Sequence, residues 1–328
     1  DENLLVDPEQ LSQEIQKYTE RPLKIGSFSA CSNVTGIITP YQELAKIMHR
    51  HGGYCFVDFA ASAPYVAMDM HPQDPEKRLD AIFFSPHKFL GGPGSCGILV
   101  FNKQLYNTNC PDVPGGGNVK WTDPWGGYAY DTDIETKEDG GTPGFLQVFR
   151  TALSMRLKEK LDVSKMRKQE EALLAICFQN LKEIPDLYIL GDGNEKRIGC
   201  ISFGIKNVHY NLIVRLLNDR FGIQVRGGWS CASTYGHYLF SIDKDSSKTL
   251  IQDISNKNLT EKPGWVRISL HPLMTRKEVE FICDAIKTTA ANVDNWKNDY
   301  TYNPNTNEFE REQGDDRIQA EVKSWFLV

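Results

Sequence analysis

Ser85-Pro86-His87-Lys88 brings a hydroxyl, an imidazole and an amine together at the end of an apolar run, and the glycine-rich segment 91–94 follows. Ligands of α/β sheets bind at the carboxyl ends of the strands, where this loop is predicted to lie. A lysine there can form a Schiff base, while Ser85, His87 and the loop amides can bind a phosphate. The alternative is a solvated lysine beside a turn. The loop favours an anionic cofactor without establishing it.

A carboxylate, Asp58, ends the preceding apolar run Phe56-Val57-Asp58-Phe59, about one strand-and-helix step before Lys88. A carboxylate after an apolar strand is costly to bury unless it meets a cation. The pyridinium nitrogen of pyridoxal 5'-phosphate (PLP) is such a cation, and an acidic partner keeps the ring protonated so that it withdraws electrons. Asp58 and Lys88 together therefore predict a PLP site.

Six motifs follow one another in the order found in the class V aminotransferase fold. Over roughly residues 20 to 290, the chain resembles that family and, within it, the group II cysteine desulfurases and selenocysteine lyases. The resemblance implies an α/β fold of the PLP-dependent transferase type (fold type I), with a mainly parallel sheet in a large domain and a smaller α+β C-terminal domain. The motifs are SNVTG with Asn33, VDFAA with Asp58, SPHK with Lys88, GGTPG with Thr142, RGGWSCA with Cys231 and WVRISL with Arg267.

The resemblance also assigns cofactor contacts. By it, Lys88 carries PLP through a Schiff base, and Asp58 pairs with the pyridinium nitrogen. The remaining implied contacts are Asn33 near the phenolic oxygen, Ser85 and His87 at the phosphate, and Thr142 reaching the phosphate from the neighbouring subunit of a homodimer.

Cys231 stands five residues after Arg226, in the Arg-x-Gly-x-x-Cys spacing found around the nucleophilic cysteine of desulfurases. A guanidinium and glycine-rich loop amides favour a thiolate, which is the reactive form. The resemblance therefore implies that sulfur leaves cysteine, or a related amino acid, as a persulfide on Cys231. Arg267 is implied to bind the substrate carboxylate, which suits its planar fork, with Arg226 as a second candidate. The alternative is a cysteine without a covalent role.

Two places depart from the family pattern. Ala61 stands where the family has a glutamine, so one contact to the phenolic oxygen is missing, and Trp229-Ser230 replaces a His-His pair that would carry protons. His237 is a candidate for a displaced acid or base, or else a packing residue. Two further interpretations therefore stay open: an aminotransferase, epimerase or C–S lyase of the same fold, and a non-catalytic scaffold that binds no cofactor.

Composition restricts the partners. The 328 residues carry 37 Lys and Arg against 43 Asp and Glu, a net charge of −6 without a long basic run, which disfavours nucleic acid. The chain has no eighteen-residue apolar run and no signal-peptide pattern, which predicts a cytoplasmic protein that does not enter a membrane. Eight cysteines lack CxxC or zinc-ligand spacing, so neither disulfides nor a metal site are expected. The expected partners are an amino-acid substrate, a second subunit and a sulfur-acceptor protein.

The order of apolar and amphipathic stretches predicts the domains. Segment 104–144 lacks periodicity and predicts long loops, and 147 to about 184 predicts a long helix broken near Asp162. By the resemblance, the N-terminal part of the large domain, including a histidine that stacks on the cofactor, is expected to lie outside this chain. The predicted domains are an incomplete PLP-binding domain over 1–146, a small α+β domain over 147–290 and a polar tail over 291–328.

Overall fold

The computed structural model describes residues 4–193, 196–311 and 316–326. Backbone contacts divide the chain into two compact units. Unit 1 comprises Asp1–Ser32 and Ile38–Arg167, and unit 2 comprises Asn33–Ile37 and Lys168–Val328. The structure thus divides the chain at 167/168 and not at the predicted 146/147, because the helix that follows residue 144 packs within unit 1.

Unit 1 is built on a four-stranded sheet of order β1-β2-β3-β4, in which β1, β2 and β3 are parallel and β4 is antiparallel to β3. The mainly parallel sheet predicted from the sequence is confirmed. Its elements are α1 (Pro8–Ile15), β1 (Ile25–Ser29), α2 (Tyr41–Arg50), β2 (Tyr54–Asp58), β3 (Ala81–Phe84), β4 (Ile98–Phe101), β5 (Val119–Thr122), β6 (Tyr128–Tyr130), α3 (Ile134–Glu138) and α4 (Phe145–Leu161).

The register of the parallel strands decides what lies at their carboxyl edge. Asp58, the last residue of β2, pairs with Ser29 of β1 on one side and with Phe83 of β3 on the other. Because β3 ends at Phe84, Asp58 and the segment beginning at Ser85 leave the sheet at the same edge. The apolar core beneath this edge includes Cys55, Val57, Phe59, Leu79, Ile82 and Phe84.

Segment 104–144 is more regular than its sequence predicts. A two-stranded hairpin, β5–β6, and the short helix α3 occupy much of it. The hairpin turn depends on Asp123, whose Oδ1 accepts hydrogen bonds from the N–H groups of Trp125 and Gly127 at 2.9 and 2.7 Å. A turn closed by one side chain leaves no periodic signal in the sequence, which explains why loops were predicted here.

Unit 2 contains an antiparallel sheet of order β7-β8-β10-β9 and a separate hairpin, β11–β12, so it is the α+β arrangement expected. The predicted break at Asp162 is confirmed: this residue has a left-handed backbone (φ 61°) between α4 and α5. The elements are α5 (Val163–Lys182), β7 (Leu187–Ile189), β8 (Cys200–Ile205), α6 (Tyr210–Phe221), β9 (Arg226–Gly228), α7 (Ser233–Leu239), α8 (Lys244–Ser255), β10 (Trp265–Ser269), α9 (Arg276–Trp296), β11 (Tyr300–Asn303), β12 (Glu308–Arg311) and α10 (Asp316–Ser324).

The core of unit 2 lies between the sheet and its helices, and it includes Leu173, Leu181, Ile201, Phe203, Ile213, Val266, Val279 and Ile286. The predicted polar tail differs from the structure. α9 continues to Trp296, and the hairpin buries Tyr300 against Leu212 and Leu216 of α6. Aromatic residues spaced along two short strands were enough to attach this segment, although its composition is polar.

Candidate functional site

The Asp58 carboxylate is oriented by the turn that follows β2. Its Oδ1 accepts a hydrogen bond from the Ala60 N–H at 2.7 Å, and the side chain is half-buried. Within the described ranges, this carboxylate has no other hydrogen bond and no ion pair. One carboxylate oxygen, Oδ2, is therefore available to a ligand at the carboxyl edge of the sheet.

The Lys88 loop is anchored by an aromatic contact. A 3₁₀ turn spans Pro86–Lys88, and the next residue, Phe89, is buried and stacks on Phe84 with ring centroids 6.0 Å apart. The side chains of His87 and Lys88 are exposed, and neither is hydrogen-bonded to another described residue. A free amine is thus presented by a fixed loop at the edge that also carries Asp58.

The glycine-rich segment after Lys88 requires its glycines. A Cβ atom at Gly92 would collide with the Pro86 carbonyl oxygen, and Gly91 and Gly94 have positive φ values of 75° and 87°. These residues let the backbone fold back on the loop, as anion-binding loops do when they expose consecutive amides.

The residues at this edge suit PLP. The Lys88 amine suits the carbonyl carbon of PLP, and the Asp58 carboxylate suits its pyridinium nitrogen. The Ser85 hydroxyl and the His87 imidazole suit its phosphate. Two buried hydroxyls in the same loops, Ser62 Oγ and Ser95 Oγ, have no hydrogen-bond partner among the residues described. A buried polar atom without a partner is costly, so both are suited to a polar ligand.

Thr142 is exposed and lies before α4, in a stretch in which every residue from 141 to 150 is exposed. Four of these are large and apolar: Phe145, Leu146, Val148 and Phe149 are 61%, 81%, 53% and 65% exposed. The structure places Thr142 in unit 1 without a hydrogen bond to the Lys88 loop.

The Cys231 loop lies in unit 2 and has a strained backbone. Ser230 and Cys231 both have positive φ values, 51° and 64°, which non-glycine residues rarely adopt. Arg226 Nη2 donates a hydrogen bond to Cys231 Sγ at 3.2 Å. Cys231 is also exposed, a property it shares only with Cys110 among the eight cysteines. The loop therefore presents a solvent-accessible sulfur atom against a positive charge.

Arg226 and Arg267 are directly opposite each other on the antiparallel strands β9 and β10, so their side chains lie on the same face. Two like charges in this arrangement repel each other. Neither guanidinium has a carboxylate partner in the described part of the chain, and the buried Nε of Arg267 lacks any hydrogen bond there. The pair is suited to an anionic ligand such as a substrate carboxylate.

Asn33 has a role that the sequence did not predict. Its Nδ2 donates to the Ser230 carbonyl oxygen at 2.7 Å, and its own carbonyl oxygen accepts from Arg267 Nη1 at 2.9 Å. Asn33 therefore joins the Cys231 loop to Arg267 within unit 2. The only sequence signal was a turn-forming SNVTG segment, which does not specify a partner two hundred residues away.

The hypothesis for His237 does not fit its contacts. Both ring nitrogens are engaged, Nδ1 with the Ser233 carbonyl oxygen at 2.9 Å and Nε2 with Ser247 Oγ at 3.0 Å, and the ring packs edge-on against Trp229. These contacts describe a packing residue that joins α7 to α8.

Two further observations concern the described residues as a whole. None of their helices is long and apolar enough to span a membrane. Their His, Cys, Asp and Glu side chains form no group of three or more that could hold a metal ion.

Comparison with known proteins agrees with this architecture. The chain matches the family Aminotransferase class-V over residues 1–282. It is 31% identical over 223 residues to a probable cysteine desulfurase of Halalkalibacterium halodurans, covering 67% of this chain and 52% of that protein. A probable cysteine desulfurase of Staphylococcus aureus is 29% identical over 229 residues, 70% of this chain and 54% of that protein. The chain thus spans about half the length of the curated relatives it matches.

Solved structures share the fold. The apo cysteine desulfurase of Thermococcus onnurineus has a TM-score of 0.73 at 24% identity, covering 89% of this chain and 64% of that one. A cysteine desulfurase of Escherichia coli has a TM-score of 0.66 at 20% identity, covering 82% and 59%. The fold is that of the class V PLP-dependent enzymes. The chain belongs to the class V aminotransferase family.

Proposed function

We propose that this chain takes part in the PLP-dependent removal of sulfur from cysteine, or from a related amino acid, through a persulfide on Cys231. The observation that carries the proposal is the 3.2 Å hydrogen bond from Arg226 Nη2 to the exposed sulfur atom of Cys231. The similarity to proteins described as probable cysteine desulfurases supports the same activity.

Lys88 would hold PLP covalently through its amine, and Asp58 Oδ2 would accept a hydrogen bond from the pyridinium N–H, which keeps the ring protonated. When bound, PLP supplies an electron sink for the bonds of the substrate α-carbon. Ser85, His87 and the loop amides would bind the phosphate. Asn33 is more closely engaged with the Cys231 loop than with a cofactor, so its predicted contact with the phenolic oxygen is the least supported of the set.

Arg267 and Arg226 would bind the substrate carboxylate. A carboxylate between two guanidinium groups removes their repulsion and occupies the unpaired donors of Arg267. Because Asn33 already fixes one nitrogen of Arg267, the fork is oriented before the substrate arrives, which lowers the entropic cost of binding.

Cys231 would act as the nucleophile. Its sulfur attacks the substrate sulfur, a sulfur–sulfur bond forms, and the bond from that sulfur to the substrate Cβ breaks. The electron pair of the broken bond stays with the substrate carbon, which takes up a proton, so cysteine yields alanine. The terminal sulfur of the persulfide would then pass to a thiol of an acceptor protein.

A homodimer is part of the proposal. The exposed apolar side chains of Phe145, Leu146 and Phe149 directly follow Thr142, and a contiguous apolar surface of this kind is typical of a protein–protein interface. A second subunit bound at this surface would bring Thr142 close to the phosphate of the PLP that the second subunit holds. The cytoplasmic location expected from the sequence stays a prediction.

The test compares Cys231→Ser with Cys110→Ser, the matched change at the other exposed cysteine. We expect the Cys231→Ser protein to bind PLP normally and to release no sulfide from cysteine, because a hydroxyl is too weak a nucleophile at neutral pH. The Cys110→Ser protein should release sulfide at the wild-type rate.

Other outcomes separate the remaining interpretations. Formation of a keto acid, with unchanged turnover in Cys231→Ser, would support an aminotransferase or lyase. A wild-type chain that binds no PLP would support a non-catalytic scaffold.

A further inference from the structure

Lys158, on α4, is half-buried and its ammonium lies against the two loops that carry Asp58 and Lys88. Its Nζ donates hydrogen bonds of 2.6 Å to the carbonyl oxygens of Ala63 and Val66, at the end of the turn that begins after Asp58. The same ammonium lies 5.7 Å from the centre of the Phe89 ring, within cation–π range. One side chain therefore contacts both loops.

Each loop that Lys158 contacts also holds one of the two proposed cofactor residues, Asp58 and Lys88. The turn that ends at Ala63 and Val66 also contains the Ala60 N–H, which orients the Asp58 carboxylate. On the other side, Phe89 is the covalent neighbour of Lys88. If the ammonium were lost, the Asp58 carboxylate and the Lys88 amine would therefore be free to move independently of each other.

The free-energy cost of burying a charge argues against a role for Lys158 in packing alone. Lys158 has no ion pair with a carboxylate in the described ranges, and burial lowers its pKa to about 8. A methionine or leucine would fill the space without the cost of burying a charge. Unlike methionine or leucine, Lys158 can donate to two carbonyl groups, and no backbone N–H of the described chain donates to either of them.

We propose that Lys158 is a positioning residue for the cofactor site, which fixes the Asp58 turn and the Lys88 loop at one separation. The inference rests on the proposed function, since the separation matters only if Asp58 and Lys88 hold one cofactor. The hydrogen bond from Arg150 Nη1 of the same helix to the Pro93 carbonyl oxygen, at 2.7 Å, lies in the glycine-rich segment and involves no residue of the Asp58 turn.

Three variants of the full chain test the inference by hydrogen exchange, and a fourth, Lys158→Arg, enters the affinity measurement. Lys158→Met removes the charge and both hydrogen bonds while keeping the length of the side chain. Arg150→Met removes only the contact with Pro93, and Lys160→Met changes an exposed lysine of the same helix.

The first measurement is hydrogen exchange of the cofactor-free chain, followed by mass spectrometry. We expect Lys158→Met to exchange about tenfold faster or more in the amides of 62–66 and 89–92, which close the two turns. Arg150→Met should affect 92–95 alone, and Lys160→Met neither. Unchanged exchange in 62–66, or a uniform increase that includes β1–β3, overturns the inference.

The second measurement is the PLP dissociation constant, from titration of the visible absorbance of lysine-linked PLP. Lys158→Met should bind PLP roughly tenfold more weakly, and Lys158→Arg, which keeps the charge and the donors, should recover most of the affinity. Equal affinity in wild type and Lys158→Met overturns the inference alone. A wild-type chain that binds no PLP overturns the proposed function, and the inference with it.

Discussion

The loop that carries Lys88 and the loop that carries Cys231 present their reactive atoms in different ways. The Lys88 loop has positive φ values only at glycines and is fixed by the stacking of Phe89 on Phe84. The Cys231 loop has two consecutive non-glycine residues in the left-handed region and is tied by side chains, Arg226 at the sulfur and Asn33 at the Ser230 carbonyl.

The difference indicates which residues each loop depends on for its function. A loop built from glycines and an aromatic anchor keeps its shape whatever the reactive side chain is, so its function depends on Lys88 itself. Left-handed non-glycine residues cost about 1–3 kcal/mol each and persist only where the surroundings hold them. The Cys231 loop therefore depends on its neighbours as much as on the cysteine.

Lys88→Ala should have the largest effect. Without the amine, the visible absorbance of lysine-linked PLP and all turnover should be lost, because among the described residues no other lysine lies in a glycine-rich loop that follows a strand of the parallel sheet. Lys103→Ala is the matched control and should keep both. An unchanged spectrum in Lys88→Ala would show that Lys88 does not hold the cofactor. The Lys88 loop could then no longer be compared with the Cys231 loop as a reactive loop.

Arg267→Ala should have the next largest effect. Loss of a charge-assisted pair that leaves its partner buried costs about 2–5 kcal/mol, which corresponds to roughly a thirtyfold or greater rise in the apparent KM for cysteine. Steady-state kinetics measure it. A normal KM would assign the carboxylate to Arg226 alone.

Part of this account was predictable from the sequence. The strand ends that carry Asp58 and Lys88, the break at Asp162 and the antiparallel second unit all follow from local patterns of apolar residues and helix signals. The Asp123 turn, the Asn33 link and the contacts of Lys158 were not predictable, because each joins one side chain to a backbone group that no periodic pattern identifies. For His237 the sequence left two possibilities open, and its hydrogen bonds with Ser233 and Ser247 favour the packing residue.

The stability of unit 1 should depend on pH through Lys158. Burial lowers the pKa of this amine from 10.5 in the unfolded chain to about 8, so below pH 8 the folded chain bears the full cost of a buried charge. Between about 8 and 10.5 the unfolded chain binds more protons, and the unfolding free energy rises with pH.

The charged neighbour that affects this pKa is Glu159 on the same helix, which opposes the shift. Subtracting the unfolding free energy of Lys158→Met at each pH isolates the contribution of Lys158. A difference that falls as pH rises through this window would contradict the assignment.

Ser230→Gly should have the smallest effect and should be stabilising. Glycine tolerates the φ of 51° and removes a buried hydroxyl without a partner, so we expect the unfolding free energy to rise by about 0.5–1 kcal/mol. Ser246→Gly, in the first turn of α8, should lower it by about 0.5 kcal/mol. Denaturant unfolding measures both. A destabilised Ser230→Gly protein would show that the left-handed geometry is not strained.

The central claim, that Cys231 takes sulfur from the substrate, is tested most directly by mass spectrometry of the wild-type chain after incubation with PLP and cysteine. We predict that the peptide containing Cys231 gains the mass of one sulfur atom, that a reductant removes it, and that the Cys110 peptide stays unmodified. Sulfur on Cys110, or turnover with no added sulfur on Cys231, would contradict the account.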